Sequence, residues 1–183
     1  GDLGQMPTVY VTLGSVLGRN TPLPATLISA LRDEPLNVVV TMGRRQNPEA
    51  LGSQPDNVHV ARYIPNTLLL PYCDVVVSHA GWSTTLGALC AGVPQVCVPL
   101  TADQPFNARR CAELGAGIVI DPDELTGEIL QDAVKLLLSQ PRFREAARRV
   151  QAENRALPGL ERAVELVERL AYDRQPLLSR EAA

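Results

Sequence analysis

The chain has 183 residues, 45% of them hydrophobic, and a formal net charge of −3, which fits one domain with a substantial core and leaves little room for two. A pI near 5.4 argues against a general nucleic-acid binder, which carries a basic stripe and a high pI. No apolar run approaches the roughly 20 residues of a membrane-spanning helix, and Gly1 to Pro7 lack the basic start and apolar middle of a secretory signal, so a cytoplasmic setting is expected.

Strands and helices alternate along the chain. Thr8 to Leu13 reads as a strand ending at Gly14-Ser15, and Leu23 to Leu31 as a short amphipathic helix after Pro22. Asn37 to Met42 is a second strand closed by Gly43, Val58 to Ala61 a third, and Pro65 begins a helical turn. Residues 74 to 78 form a fourth strand, followed by a helix from Ser83 to Ala91 that Gly92 and Pro94 stop. Gln95 to Val98 is a fifth strand, Asp103 to Leu114 a helix ending at Gly115, and Gly117 to Ile120 a sixth strand. Residues 128–138, 141–155 and 160–172 carry apolar spacings of three and four and read as helices, with charges such as Arg148, Arg149, Glu153, Glu165 and Arg169 forming a solvated face. The core spans residues 7–172, with frayed termini expected beyond it.

Short β-branched strands without polar alternation belong to a parallel sheet covered on both faces. The expected fold class is therefore α/β, a doubly wound Rossmann-like sheet of about six strands in one domain, with ligands beyond the carboxyl ends of the strands. Ser15, Tyr63, His79 and Asp103 all follow strand ends and are expected to face one crevice. Cys73, Cys90, Cys97 and Cys111 have no C-x-x-C spacing and read as buried thiols acting as small hydrophobes. His59, inside the third strand, reads as an edge-strand side chain. The Trp82 indole is expected to pack against its loop.

The stretch from Ser78 to Asn107 carries the most chemistry. His79, Gly81 and the hydroxyl residues Ser83, Thr84 and Thr85 sit between a strand and the start of a helix, where unpartnered backbone amides and the helix dipole hold an anion without a metal. Asp103-Gln104 opens the next helix with side chains able to bond neighbouring hydroxyls. Phosphate and polyol together point to a nucleotide sugar.

The run His79-Ala80-Gly81-Trp82-Ser83-Thr84-Thr85, followed by Ala91-Gly92-Val93-Pro94, Pro99, Asp103-Gln104, Asn107-Ala108 and Gly115-Ala116-Gly117, resembles the donor-site signature of nucleotide-sugar glycosyltransferases of the GT-B fold, in particular the bacterial macrolide and natural-product enzymes. Val11-Thr12-Leu13-Gly14-Ser15 resembles the family's first strand and phosphate loop, and Arg62-Tyr63-Ile64-Pro65-Asn66 its base-binding segment. The resemblance runs from about residue 7 to 172 and covers only the C-terminal, donor-binding half of such an enzyme. Nothing here matches the N-terminal acceptor domain, which supplies the catalytic base in the family and is expected as a partner in cis or in trans.

By that resemblance, Ser15, His79, Gly81, Ser83 and Thr84 would bind the diphosphate, with His79 stabilising charge on the leaving group. Tyr63 would stack on the base, Ile64 offer backbone groups to its edge, and Asn66 make a polar contact. Asp103 and Gln104 would grip sugar hydroxyls. The plainer alternatives are a turn serine at Ser15, a core tyrosine at Tyr63, and helix capping by Ser83, Thr84 or Asp103. Arg44 would add charge near the diphosphate or lie in solvent. The reaction implied is an inverting single displacement with no bound metal or cofactor, and no catalytic residue for the proton is found in this chain.

Many relatives have a glutamate where this chain has Gly87, and that carboxylate accepts bonds from the ribose hydroxyls. A site without it loses less by binding a deoxyribose, so a dTDP-sugar is expected ahead of a UDP-sugar. A nicotinamide oxidoreductase would want G-x-G-x-x-G after the first strand, and Gly14-Ser15-Val16-Leu17-Gly18 lacks that spacing. A non-catalytic nucleotide-binding subunit of a split enzyme and a sugar-nucleotide epimerase of related architecture stay open.

Overall fold

The computed structural model describes residues 6–14, 23–43 and 47–176; Ser15 and Arg44 lie outside the described residues. Six parallel strands form one sheet: β1 (Thr8–Thr12), β2 (Asn37–Thr41), β3 (Val58–Ala61), β4 (Val75–Ser78), β5 (Gln95–Cys97) and β6 (Gly117–Val119). Their spatial order is β3-β2-β1-β4-β5-β6, so the chain winds outward from β1 in one direction and then returns to build outward from β4 in the other. The helices are α1 (Leu23–Leu31), α2 (Asn66–Leu69), α3 (Trp82–Ala91), α4 (Gln104–Glu113), α5 (Gly127–Ser139), α6 (Pro141–Ala156) and α7 (Gly159–Asp173). Element type follows the sequence reading throughout, with ends shifted by a residue or two; a 3₁₀ turn at Pro48–Leu51, capped by the Asn47 side chain, is additional.

Side chains alternate across each strand, which sends Val9, Val11, Val75 and Val77 to one face and Tyr10 and Val76 to the other. On the first face α1 and α5 bury Leu27, Leu31, Leu130, Val134 and Leu137. The second face is covered by two smaller clusters. One joins Tyr10, Val39 and Val76 to Leu69, Leu70, Ala88 and Val93; the other joins Cys97 to Ala108, Cys111, Ala146 and Ala147. All five residues of β1 and of β2 are buried, as a doubly covered sheet requires.

At the amino ends of the strands Asp74 ties three elements together. Its Oδ2 accepts the Thr8 N–H at 2.9 Å, and Arg144 of α6 donates to its Oδ1 at 3.0 Å and its carbonyl at 2.7 Å. β4 begins at Val75, one residue later than the sequence reading put it, with Asp74 bonded to Thr8 just ahead of the strand.

All four cysteines are free thiols. Burial pushes the Cys73 thiol up to about 12, closing it to thiolate chemistry near neutrality. Cys90 departs from the expectation of full burial: it is half-buried, and its sulfur accepts from Asn154 Nδ2 at 3.1 Å. His59 is exposed on the edge strand β3, as expected. Among the described residues no helix is long and apolar enough to cross a membrane.

The helix α7 buries nothing. Its Leu160, Val164, Val167 and Leu170 are exposed along one face, while Arg162 and Glu165 pair on it. The expected solvated charges are present, but the apolar stripe beside them is uncovered as well.

Replacing Asp74 by alanine leaves the buried Thr8 amide without its side-chain acceptor and removes the carboxylate half of the Arg144 contact, the bond to the residue 74 carbonyl remaining. The expected loss is about 1–3 kcal/mol, read as a lower midpoint in chemical denaturation with an unchanged slope; a wild-type midpoint would show that the tie carries no stability.

Candidate functional site

β1 and β4 are neighbours from which the sheet was built in opposite directions, and the crevice of such a sheet opens beyond their carboxyl ends. Gly14 ends one side of it and His79-Ala80-Gly81 the other. An ideal Cβ on Gly14, whose φ is +71°, would stand 2.8 Å from His79 Cε1, and one on Gly81 would stand 2.5 Å from His79 Nε2. The imidazole therefore fills a gap that exists only because both flanking residues lack side chains.

His79 is buried, and its Nδ1 makes no hydrogen bond among the described residues. Burial lowers its pKa below the ordinary histidine value, opposed by the nearby Thr12 backbone and then by the Asp103 carboxylate. The ring is accordingly neutral at pH 7, with one N–H to donate. An unpartnered buried polar group at a crevice is a place where a ligand atom completes the bonding.

The turn between β4 and α3 is strained. Ala80 has φ +59°, a left-handed conformation that costs an L-residue about 1–2 kcal/mol. Two bonds hold it there: the Ala80 N–H donates to Ser78 Oγ at 3.1 Å, and Asn107 Nδ2 donates to the Ala80 carbonyl at 3.1 Å. Strain maintained by bonds from both neighbours serves placement, here of His79 beside the start of α3.

Gly81 is the N-cap of α3, with no side-chain cap. The N–H groups of Thr84 and Thr85 return to the Gly81 carbonyl, each at 3.0 Å, and those of Trp82 and Ser83 have no internal acceptor among the described residues. Two free amides and the positive end of a ten-residue helix thus converge on the crevice. Capping by Ser83 or Thr84, the plainer alternative, does not occur. The expectation that Thr84 offers its N–H is corrected as well, because that group is taken; its hydroxyl stays free of internal partners.

Asp103 precedes α4 and makes no capping bond. Its Oδ2 instead accepts from Asn107 Nδ2 at 2.9 Å, so Asn107 bridges the carboxylate and the Ala80 turn. Gln104 is committed differently from the sequence reading: its Oε1 accepts from the Leu100 and Thr101 N–H groups at 2.8 and 3.0 Å, and the side chain is buried. Only Nε2 is left to meet a ligand. The carbonyl half of the amide shapes the loop between β5 and α4.

Tyr63 follows β3 and is 51% exposed, which removes the reading of it as core. Ile64 packs against the cluster around Tyr10. Asn66 opens α2, and its Oδ1 accepts from the Tyr10 hydroxyl at 3.3 Å. Trp82 contradicts its expected packing: it is 59% exposed, because the first position of α3 points its side chain away from the loop. Sequence reasoning assigned no role to Asn107, although its i, i+4 spacing from Asp103 on one helix face carried the signal.

The family described as erythromycin biosynthesis protein CIII-like, C-terminal domain, matches residues 25–170. The chain belongs to this family. It is 34% identical over 90% of its length to the demethyllactenocin mycarosyltransferase of Streptomyces fradiae, covering 36% of that protein. The 10-deoxymethynolide desosaminyltransferase of Streptomyces venezuelae is also 34% identical over 90% of this chain, with 39% of that protein covered. Among solved structures, the calicheamicin glycosyltransferase CalG4 superposes with a TM-score of 0.85 at 31% identity, over 94% of this chain and 45% of that one. The glycosyltransferase VinC, solved in complex with dTDP, superposes with a TM-score of 0.81 at 35% identity, over 93% and 43%. This chain spans less than half the length of each, and its sheet is the C-terminal Rossmann-like half of the GT-B architecture.

Gly81→Ala puts a Cβ into the imidazole and must displace it. Pyrophosphate binding, read by calorimetry, is expected to weaken about tenfold or more, the loss of one hydrogen bond to a charged group, with the fold intact by circular dichroism; unchanged affinity would show that His79 and the α3 amides do not act together on an anion.

Proposed function

We propose that this chain is the donor-binding half of a glycosyltransferase that moves a sugar from a nucleoside diphosphate sugar to a hydroxyl of a small natural-product acceptor. The observation that carries this reading is the β1–β4 switch, where a buried histidine with an unbonded Nδ1, packed against Gly14 and Gly81, meets the free amides of Trp82 and Ser83. Naming of the relatives as glycosyltransferases supports the reaction class.

The chemistry follows from where charge appears. An acceptor oxygen attacks the anomeric carbon, the bond from that carbon to the diphosphate breaks, and negative charge develops on the departing β-phosphate oxygens. Amides fixed at a helix N-terminus and a neutral imidazole N–H stabilise that charge without reorganising. Single displacement inverts the anomeric centre. No metal is required when the helix end and His79 hold the diphosphate. Tyr63 stacks on the base, Asp103 and the Gln104 amide nitrogen meet the sugar hydroxyls, and Ser15 adds a diphosphate contact. The base that takes the acceptor proton comes from the other half of the enzyme, because no side chain in this crevice is assigned to that task.

Donor preference turns on Gly87. It lies on α3 with no carboxylate to accept from a ribose 2′-hydroxyl, so a deoxyribose leaves nothing unpaired. The dTDP complex of VinC, at 35% identity, supports the same choice. The exposed apolar stripe of α7 is assigned to the acceptor half. Its four uncovered aliphatic side chains need a partner face, and more than half the length of the relatives lies outside this match.

Titration calorimetry is expected to give dTDP a dissociation constant about 3- to 10-fold below that of UDP, the worth of one neutral hydrogen bond, and His79→Ala is expected to weaken both. UDP binding much more tightly than dTDP would overturn the donor assignment. Co-expression with a cognate acceptor half should restore sugar transfer, and Leu160→Asp with Val167→Asp should abolish their co-purification while leaving dTDP affinity as it was. Retained co-purification would place the contact elsewhere.

A further inference from the structure

Behind the crevice a line of hydroxyls runs across the carboxyl ends of β1 and β2. The Tyr10 hydroxyl lies 2.7 Å from Thr41 Oγ1 and bonds Asn66 Oδ1 at 3.3 Å. Thr41 Oγ1 lies 3.0 Å from Thr12 Oγ1, which accepts the Gly14 N–H at 3.3 Å. The line therefore begins at the residue after which the anion seat opens and ends at the first residue of α2, just beyond Tyr63. Tyr10 is its central member and is almost wholly buried, with its ring in the cluster formed by Val39, Leu69, Leu70 and Val76.

Packing alone asks only for a ring at this position. A phenol in an apolar cluster costs free energy unless its hydroxyl is bonded, and here the hydroxyl reaches Thr41 on β2 and Asn66 at the start of α2. Thr41, on β2, fixes the phenolic oxygen with the shorter bond. Thr41 gives its own proton to Thr12, so the single Tyr10 proton is shared between Thr41 Oγ1 at 2.7 Å and Asn66 Oδ1 at 3.3 Å. The consequence falls on the Asn66 amide, whose carbonyl oxygen is turned into the protein. Its Nδ2 makes no bond among the described residues and is a free donor.

We propose that Tyr10 is a positioning residue for base recognition: by holding Asn66 Oδ1 inward it presents Nδ2 outward as a donor to a pyrimidine carbonyl, and it fixes the spacing between the base loop and the diphosphate seat. The proposal rests on the reading of residues 63–66 as the base-binding segment. It makes Tyr10 a residue that touches no ligand and acts through Asn66. Thymine and uracil both present carbonyls, so this contact selects pyrimidine nucleotides as a class and leaves the choice between dTDP and UDP to Gly87.

The test is a double-mutant cycle on the intact chain with Tyr10→Phe and Asn66→Ala, read by calorimetry with two probes, dTDP and pyrophosphate. Tyr10→Phe keeps the ring in its cluster. The expected result is dTDP binding about 3- to 10-fold weaker, as befits one long hydrogen bond, with pyrophosphate affinity unchanged. In the Asn66→Ala background the same change should have no further effect on dTDP, since the amide it positions is gone. Additive effects, equal weakening of both probes, or an unchanged dTDP affinity would each overturn the proposal. Should Tyr10→Phe fail to fold, Thr41→Val removes the anchor from the other side, and the same selective loss of dTDP affinity is expected. Wild-type protein that binds dTDP no better than pyrophosphate would instead sink the base-loop reading itself, and this proposal with it.

Discussion

Everything at the crevice depends on how closely two backbone segments approach one imidazole. Gly14 and Gly81 both stand against the Cε1–Nε2 part of the His79 ring, each so near that a single Cβ would collide with it. That spacing is set by the parallel pairing of β1 with β4, in register from Val9 with Val75 to Thr12 with Ser78. A sheet shift of one residue would turn Ser78 to the other face and remove the Oγ that holds Ala80. The anion seat is therefore a property of the sheet's register as much as of the residues in the loop.

Strain at Ala80 fits the same constraint. Only a left-handed residue lets the chain leave β4, present His79 sideways and still start α3 two residues later. Asn107 offsets that cost by donating both to the Ala80 carbonyl and to Asp103, so the α4 helix supports the turn after β4. The Ala80 turn, Asn107 and Asp103 are thus one bonded unit. The lowered pKa of His79 belongs with it: a ring this buried favours the uncharged form.

The elements were legible in the sequence because each strand is a short β-branched run closed by glycine, proline or serine, and each later helix keeps a spacing of three and four. Doubly wound topology followed from the alternation, and the crevice from the topology. Legibility ended where a side chain's partner is distant in sequence. Nothing local to Gln104 says that its Oε1 will bond the backbone of Leu100 and Thr101, and the Tyr10–Thr41 contact spans 31 positions. Trp82 misled for a different reason. Its neighbours are small and suggest a pocket, yet the first position of a helix whose amides face a crevice points its side chain outward.

Those exposed rings are the remaining clue to how the crevice works. An aromatic side chain can bury 150–250 Å², and Tyr63 and Trp82 leave half or more of theirs to solvent. A fold whose core is otherwise closed on both faces of its sheet has no difficulty covering two rings, so their exposure marks a wall and not a defect of packing. Polar donors fixed in a strained, bonded frame stand at the carboxyl ends of β1 and β4, with exposed rings on the segments that follow β3 and β4. What such a wall lacks is its opposite side, and α7, which buries no residue of its own, carries the apolar surface that a second wall would need.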